Sequence, residues 1–270
     1  ASNNVDIQEF MIVPLGAKSF SQAIQWGAEV FAELKLLLGR KGMSTAVGDE
    51  GGFAPDVDGV TRTLNLIMQA IRAAGRKPGS EIALALDCAA NELYVGKRYK
   101  LAAERSKPYT SDELVDQFAA WRRKYPIISI EDGMAENDWA GWQRLTAKLG
   151  ETTQLVGDDL FVTSTRLLAR GIRRDVANAI LIKPNQCGSI SETEDAVFAA
   201  YRSGYATVMS HRSGETEDAT IADLAVGWGC TQIKTGAPAR GERTAKYNQL
   251  LRIEAQLGRS ARYCGCDWQI

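Results

Sequence analysis

The feature that most constrains the fold is the alternation of short apolar runs with longer helical stretches along the 270 residues. Most of these runs are continuously apolar, as is typical of strands covered on both faces in a parallel sheet. The seven predicted strands are Ile7–Val13, Ile82–Asp87, Ile127–Glu131, Gln154–Asp158, Ala179–Lys183, Ala206–Ser210 and Thr231–Thr235. Periodicity of apolar residues and capping signals predict helices at Phe20–Leu38, Asp58–Ala74, Ser111–Lys124, Asp138–Leu149, Thr163–Arg170, Ser191–Arg202, Thr216–Ala225 and Gly241–Leu257.

The order of these elements indicates the fold class. Strand-then-helix units follow one another from residue 82 onward, which predicts an α/β domain with a parallel sheet. A doubly wound sheet and a (β/α)₈ barrel both fit this order. The sequence has no G-x-G-x-x-G after its first strand and no P-loop, so the usual nucleotide signatures of the doubly wound class are missing.

Composition argues against several classes of partner. The 32 basic and 33 acidic residues nearly cancel, so charge gives no reason to expect a nucleic acid or a membrane surface as partner. No apolar run approaches the roughly 20 residues that span a bilayer. The five cysteines are scattered, which fits reduced thiols better than a disulfide framework. We therefore expect a cytoplasmic protein.

Ionisable residues stand at the ends of six successive predicted strands. In a barrel these ends converge on the C-terminal mouth, where active sites are built. Acidic residues after strands also cap helices, which is the better explanation for Asp132 and Asp159, but lysines are poor N-caps. The residues at or just after the strand ends are Asp87, Glu131, Asp158, Lys183, His211 with Arg212 and Ser213, and Lys234.

The residue types at these ends indicate a chemistry. Three carboxylates, Asp87, Glu131 and Asp158, form an oxygen-only set that suits a hard cation such as Mg²⁺ better than zinc. Lys183 and Lys234 could be ordinary salt-bridge lysines, but a lysine held among cations can give up its proton and act as a base. A metal beside such a base favours proton abstraction next to a carboxylate.

With these residues in view, the sequence resembles the enolase family over essentially its whole length, most closely the bacterial type. Each matching motif is moderately specific, and all eight occur in order. The resemblance implies a TIM-like (β/α)₈ barrel, with residues 1–270 as the C-terminal catalytic barrel domain. The motifs are residues 7–12 (IQEFMI), 47–55 (VGDEGGFAP), 86–89 (LDCA), 129–133 (SIEDG), 157–160 (GDDL), 182–186 (IKPNQ), 210–218 (SHRSGETED) and 232–236 (QIKTG).

The resemblance also implies the reaction: reversible Mg²⁺-dependent dehydration of 2-phospho-D-glycerate to phosphoenolpyruvate in glycolysis and gluconeogenesis. It implies Asp87, Glu131 and Asp158 as Mg²⁺ ligands and Lys183 as the base at C2. Glu50 would be the acid that protonates the C3 hydroxyl, with Glu9 beside it. Substrate binding would fall to His211, Arg212, Ser213 and Lys234.

The family pattern also extends beyond this sequence. It places one further barrel strand, a mobile-loop histidine and an N-terminal domain before Ala1, so we expect seven of the eight strands here, a native polypeptide that continues upstream, and little activity of the 270-residue chain alone. The family also implies a homodimer or higher homo-oligomer. Two alternatives stay open: a superfamily relative acting on a carboxylate without phosphate, and a truncated chain kept as a binding or scaffold subunit.

Overall fold

The computed structural model describes residues 3–104 and 107–265. Within these ranges the strands are β1 (Glu9–Val13), β2 (Ala83–Asp87), β3 (Tyr94–Val95), β4 (Arg98–Tyr99), β5 (Ile127–Glu131), β6 (Gln154–Gly157), β7 (Ala179–Ile182), β8 (Ala206–Ser210) and β9 (Gln232–Lys234). The helices are α1 (Phe20–Arg40), α2 (Val60–Ala73), α3 (Ala90–Leu93), α4 (Ser111–Lys124), α5 (Trp139–Leu149), α6 (Thr165–Ile172), α7 (Pro184–Cys187), α8 (Ile190–Arg202), α9 (Thr220–Gly227) and α10 (Gly241–Leu257), followed by a 3₁₀ turn at Gly258–Ser260.

The main sheet of the described residues has seven strands in the order β1-β2-β5-β6-β7-β8-β9. The pairs β2–β5, β5–β6 and β6–β7 are parallel. All seven predicted strands are confirmed, each with ends within two residues of the prediction. This curled parallel sheet with intervening helices is the α/β, TIM-like class that the sequence predicted. The small antiparallel pair β3–β4 and the one-turn helices α3 and α7 were not predicted.

Local side-chain hydrogen bonds fix the starts of two helices. α4 begins at Ser111, as predicted, and is capped by Thr110: the Thr110 hydroxyl accepts from the Glu113 backbone and the Glu113 carboxylate accepts from the Thr110 backbone, which is a complete capping box. α9 begins at Thr220, four residues later than predicted. The hydroxyl of Thr216 accepts from the Asp218 amide and the carboxylate of Asp218 accepts from the Thr220 amide. Such side-chain bonds offer the backbone an alternative to a helix.

The chain divides into two compact units. The first comprises the described residues within Ala1–Asn4, Ile12–Ala83 and Met209–Gln269, and the second comprises Val5–Met11 and Leu84–Val208. Each unit holds its own share of the predicted site residues.

In the first unit, helix α1 packs on α2 and on α10. The buried face of α2 carries Leu64, Ile67 and Ile71, a spacing of three and four residues that places them on one side of a helix. The carboxylate of Glu254 on α10 accepts hydrogen bonds from the Phe20 and Ser21 amides, at 2.5 and 3.0 Å. An acidic group at a helix N-terminus satisfies free amides and interacts favourably with the helix dipole, so α10 holds the start of α1.

In the second unit, strands β2, β5, β6 and β7 lie side by side and parallel. The strand residues of β2, β6 and β7 are all buried, which explains why their sequences read as continuous apolar runs. Because the four strands run in one direction, their carboxyl ends lie along one edge of the sheet. No helix of the described residues is long and apolar enough to cross a membrane.

Candidate active site

The first two predicted metal ligands end neighbouring strands. Asp87 is the last residue of β2 and Glu131 the last of β5, and they are Cα partners in the parallel ladder. Partners in adjacent strands lie about 4.8 Å apart and project to the same face of the sheet. Both side chains are buried, at 5% and 3% relative exposure. The register therefore places two carboxylates side by side.

The third predicted ligand, Asp158, directly follows β6. Glu131 pairs with Val156, and Asp158 comes two residues after Val156. Because every second residue of a strand faces the same side of the sheet, Asp158 is expected to face the same side as Glu131. Its relative exposure is 9%. The pairing of β2, β5 and β6 thus brings all three predicted ligands to the carboxyl ends of consecutive strands, within the second unit.

Asp132, which the sequence analysis assigned to helix capping, has another role. Its Oδ1 accepts from the Asp158 amide at 3.0 Å and its Oδ2 accepts from the Asp159 amide at 2.8 Å. Asp138, not Asp132, caps the following helix α5. Burial raises the pKa of Asp132 well above its usual range, and the negative charges of Asp158 and Asp87 add to the effect. Asp132 therefore anchors the turn that carries Asp158, at an electrostatic cost.

Asp132, Asp158 and Asp159 form a group in which one oxygen of each lies within 4.8 Å of the other two; Asp132 and Asp158 are buried and Asp159 is exposed. This group shares Asp158 with the predicted set Asp87, Glu131 and Asp158. Crowded carboxylates repel each other and disfavour ionisation unless a cation neutralises them. A hard divalent cation takes carboxylate oxygens by preference, so the buried acidic groups of this region fit a metal such as Mg²⁺.

Lys183 lies beside this cluster. It follows β7, and its amide donates to the Thr163 hydroxyl at 2.9 Å. Its Nζ donates to Asp158 Oδ2, and Gln186 Nε2 donates to Asp158 Oδ1 at 3.2 Å. The side chains of Lys183 and Asp158 are 15% and 12% exposed. The predicted base therefore contacts a predicted metal ligand directly, and a cation bound to Asp158 would compete with it.

In the first unit, Glu50 belongs to a tight loop. The Gly48 amide donates to Gly52 O at 2.8 Å, and the Ala237 amide donates to Glu50 O at 2.9 Å. Gly51 has φ +80°, and a Cβ there would lie 2.6 Å from Ala239 O. Only glycine fits such a position. The motif glycine is therefore needed to bring the Glu50 backbone against the segment after β9.

Two of the predicted site residues lie at the Glu50 carboxylate. Ser213 Oγ donates to Glu50 Oε1 at 3.3 Å, and His211 Nε2 faces Glu50 Oε2 at 3.5 Å. His211 is buried, and burial lowers its pKa below 6.5; the Glu50 carboxylate opposes this, while the charges of Arg243 and Lys234 add to it. The His211 amide donates to Lys234 O at 3.0 Å. The arrangement surrounds a carboxylate with a hydroxyl and a neutral imidazole.

Two buried cationic side chains on α10 support the 211–213 segment, and neither was predicted from the sequence. Arg243 and Lys246 are each 1% exposed. Lys246 Nζ donates to Glu215 Oε2 at 2.9 Å, and Glu215 Oε1 accepts from the Arg212 amide at 3.1 Å. Arg243 and Lys246 are three residues apart, which places them on one face of the helix. Arginine and lysine are almost never fully buried unless paired, so their positions in the sequence gave no reason to single them out.

The remaining predicted residues fall in the same two groups. Glu9, the first residue of β1, is partly exposed and lies in the second unit with the carboxylates and Lys183. Lys234, the last residue of β9, lies in the first unit with Glu50 and the 211–213 segment.

One comparison with known proteins bears on this site. A family model described as "Enolase, C-terminal TIM barrel domain" matches residues 1–270. Such barrel domains carry strand-end residues of the kind found here. The chain belongs to the enolase C-terminal TIM barrel domain family, and this membership indicates a lyase-type enzyme.

Proposed function

We propose that this chain is the catalytic domain of a phosphopyruvate hydratase of the bacterial enolase type, which interconverts 2-phospho-D-glycerate and phosphoenolpyruvate. The observation that carries the proposal is the direct contact of Lys183 with Asp158 at adjacent strand ends. In a member of this family, such a pair supplies a base next to a carboxylate that can hold a cation.

In this proposal Asp87, Glu131 and Asp158 hold Mg²⁺. The donor set supports the assignment, because it consists of buried carboxylate oxygens, the ligands that Mg²⁺ prefers. When bound, the cation supplies positive charge that stabilises the negative charge developing on the substrate carboxylate. Asp132 holds the turn that presents Asp158 and is a supporting residue.

The protein side chains then move two protons. Lys183 Nζ removes the proton from C2, and the electron pair of that C–H bond becomes the C2–C3 double bond. Glu50 donates a proton to the C3 hydroxyl, which leaves as water when the C3–O bond breaks. Lys183 and Glu50 each act as general acid or base, an effect usually worth about 10²- to 10⁴-fold in rate.

The other predicted residues bind and orient the substrate. Arg212 pairs with the phosphate through its guanidinium, and Ser213 adds its hydroxyl, which in this structure contacts Glu50. Lys234 stabilises charge on the carboxylate, His211 contacts the substrate, and Glu9 assists Glu50.

An isotope-exchange experiment tests the two assignments. If Lys183 is the base, Lys183→Ala abolishes exchange of the substrate C2 proton with solvent. If Glu50 is the acid, Glu50→Gln retains exchange while water loss is blocked. Both assays should use the native polypeptide. The reversed pattern would exchange the two roles, and full activity in both variants would rule out both assignments. Absence of hydratase activity in the unchanged native polypeptide would rule out this function and favour a scaffold role.

Two further parts of the proposal concern the context of the chain. We propose a cytoplasmic homo-oligomer. Arg252 on α10, which donates to Gln249 at 3.3 Å, resembles a family residue that reaches the partner subunit. Sedimentation equilibrium measures the mass directly, and a monomer at working concentrations would contradict the proposed oligomer.

A further inference from the structure

The guanidinium of Arg243 makes four hydrogen bonds inside the first unit. Its Nη1 contacts His211 Nδ1 at 2.6 Å and donates to Arg212 O at 2.7 Å. Its Nη2 donates to Asp49 O at 3.0 Å and to Ser213 O at 2.6 Å. One side chain therefore joins the Glu50 loop to the 211–213 segment.

The contact with His211 fixes which ring nitrogen carries the proton. Arginine stays protonated in proteins and has donors only. At 2.6 Å from Nη1, His211 Nδ1 must therefore be the acceptor, with no hydrogen of its own. A neutral imidazole has one N–H, so the hydrogen must be on Nε2, the nitrogen that faces Glu50 Oε2 at 3.5 Å.

The surroundings of His211 also favour the neutral ring. The ring is 2% exposed, and burial lowers its pKa. The charged groups that act on it are Glu50, which favours the imidazolium, and Arg243 and Lys234, which disfavour it. Within the described residues, Nε2 is buried and makes no hydrogen bond, so its N–H is available to an oxygen that enters beside Glu50.

We propose that Arg243 is a positioning residue, which holds His211 as the neutral Nε2–H tautomer and thereby makes it a hydrogen-bond donor at the Glu50 carboxylate. In its functional consequence this inference rests on the proposed function. There, His211 donates a hydrogen bond to Glu50 or to a substrate oxygen and takes no proton. Glu50 then stays the group that exchanges a proton with the C3 hydroxyl.

The test uses the fact that the chain contains a single histidine. Protein labelled with ¹⁵N-histidine is studied by long-range ¹H–¹⁵N correlation near pH 8, where an ordinary imidazole is neutral. The expected spectrum has a protonated, pyrrole-type Nε2 and an unprotonated, pyridine-type Nδ1. His211→Gln removes these signals and so assigns them, even in a longer polypeptide with further histidines.

Arg243→Met removes the donor and should convert the spectrum to a mixture that includes the Nδ1–H tautomer. Lys246→Met is the matched control: it also removes a cation that is 1% exposed, three residues along the same helix, but that cation contacts Glu215, Thr216 and Glu242. The control should leave the Nε2–H tautomer unchanged. Should Arg243→Met fail to fold, Arg243→Lys replaces it and should retain Nε2–H, because an ammonium group also has donors only.

Three results would overturn the inference: an Nδ1–H tautomer in the unchanged protein, an unchanged spectrum in folded Arg243→Met, or an Nδ1–H tautomer in Arg243→Lys. The spectrum is independent of turnover, so the expected spectrum in a protein without hydratase activity would reject the proposed function and leave the tautomer assignment standing. In an active protein, Arg243→Met should lower kcat about 10- to 100-fold, the size of effect seen when the hydrogen-bond partner of a metal-bound histidine is lost, and Arg243→Lys should restore part of it.

Discussion

The two regions that hold the predicted residues bury groups of opposite charge. In the second unit, buried carboxylates crowd together at the ends of β2, β5 and β6, and burial raises the pKa of Asp132. In the first unit, the buried cations Arg243 and Lys246 hold the backbone of the 211–216 segment through hydrogen bonds.

This difference indicates what each region needs. A cluster of negative charges is stabilised by a group of positive charge. Lys183 supplies part of that positive charge through its contact with Asp158. In the Glu50 region the buried charges of Arg243 and Lys246 already have hydrogen-bond partners, because carbonyl oxygens of the same unit accept from them. We therefore expect the carboxylate region to respond to divalent cations and the Glu50 region to respond to changes in packing.

The largest expected effect comes from Lys183→Met. It should abolish C2 proton exchange, a loss of about 10²- to 10⁴-fold, and also tighten Mg²⁺ binding about tenfold, roughly 1.4 kcal/mol, because the ammonium no longer competes for Asp158. Isothermal titration with Mg²⁺ measures the affinity. Lys246→Met, which removes a buried cation from the other region, should leave it unchanged; weaker binding in Lys183→Met would contradict the competition.

A smaller effect is expected from Gly236→Ala. Gly236 has φ +88°, and a Cβ would lie 2.7 Å from Glu50 O and 2.8 Å from Arg243 Cδ. We expect the unfolding free energy to fall by about 3 kcal/mol, combining backbone strain of about 1–2 kcal/mol with the clash. Urea denaturation measures this change.

The control is Gly229→Ala. Gly229 also has a positive φ, +69°, but a Cβ there would have no heavy atom within 4 Å. It should cost only the strain, about 1 kcal/mol, and leave hydratase activity intact. Equal losses of unfolding free energy in the two variants would show that the clash with the Glu50 loop adds nothing to the cost of Gly236→Ala.

The smallest expected effect is a difference in pH dependence. The folded pKa of His211 lies below 6.5, so the unfolded chain binds more protons near pH 6, and this contribution to stability is lost as pH falls below about 6.5. The folded pKa of Asp132 lies above 3.8, so its contribution is present at low pH and is lost as pH rises through that folded value.

Denaturation of metal-free protein over a pH series tests both signs, with an expected change of about 1.4 kcal/mol per pKa unit. His211→Gln should reduce the loss of stability that occurs as pH falls below about 6.5. Asp132→Asn should remove the loss of stability that occurs as pH rises through the folded pKa of Asp132. A steeper acid-side loss in His211→Gln would contradict the burial of a neutral ring.

The sequence by itself determined the strands and the residues at their ends. Short, largely apolar runs of four to six residues are typical of strands buried in a parallel sheet, and β5 and β8 were predicted with their observed ends. Because consecutive parallel strands share one carboxyl edge, the placement of Asp87, Glu131 and Asp158 at the ends of neighbouring strands followed from chain order. The 211–213 segment was identified by its position after β8, whereas the Glu50 loop came from motif resemblance, since it has no periodic pattern.

Tertiary structure decided the contacts that depend on distant parts of the chain. Asp132 was interpreted as a helix cap from its position after a strand. Only the fold brings the amides of Asp158 and Asp159 to its carboxylate. Arg243 and Lys246 were not predicted as site residues, since the sequence carries no sign that carbonyl oxygens about 30 residues away will meet them. The periodicity of a helix indicates which residues share a face, but the burial of a charge depends on the partners that the rest of the chain supplies.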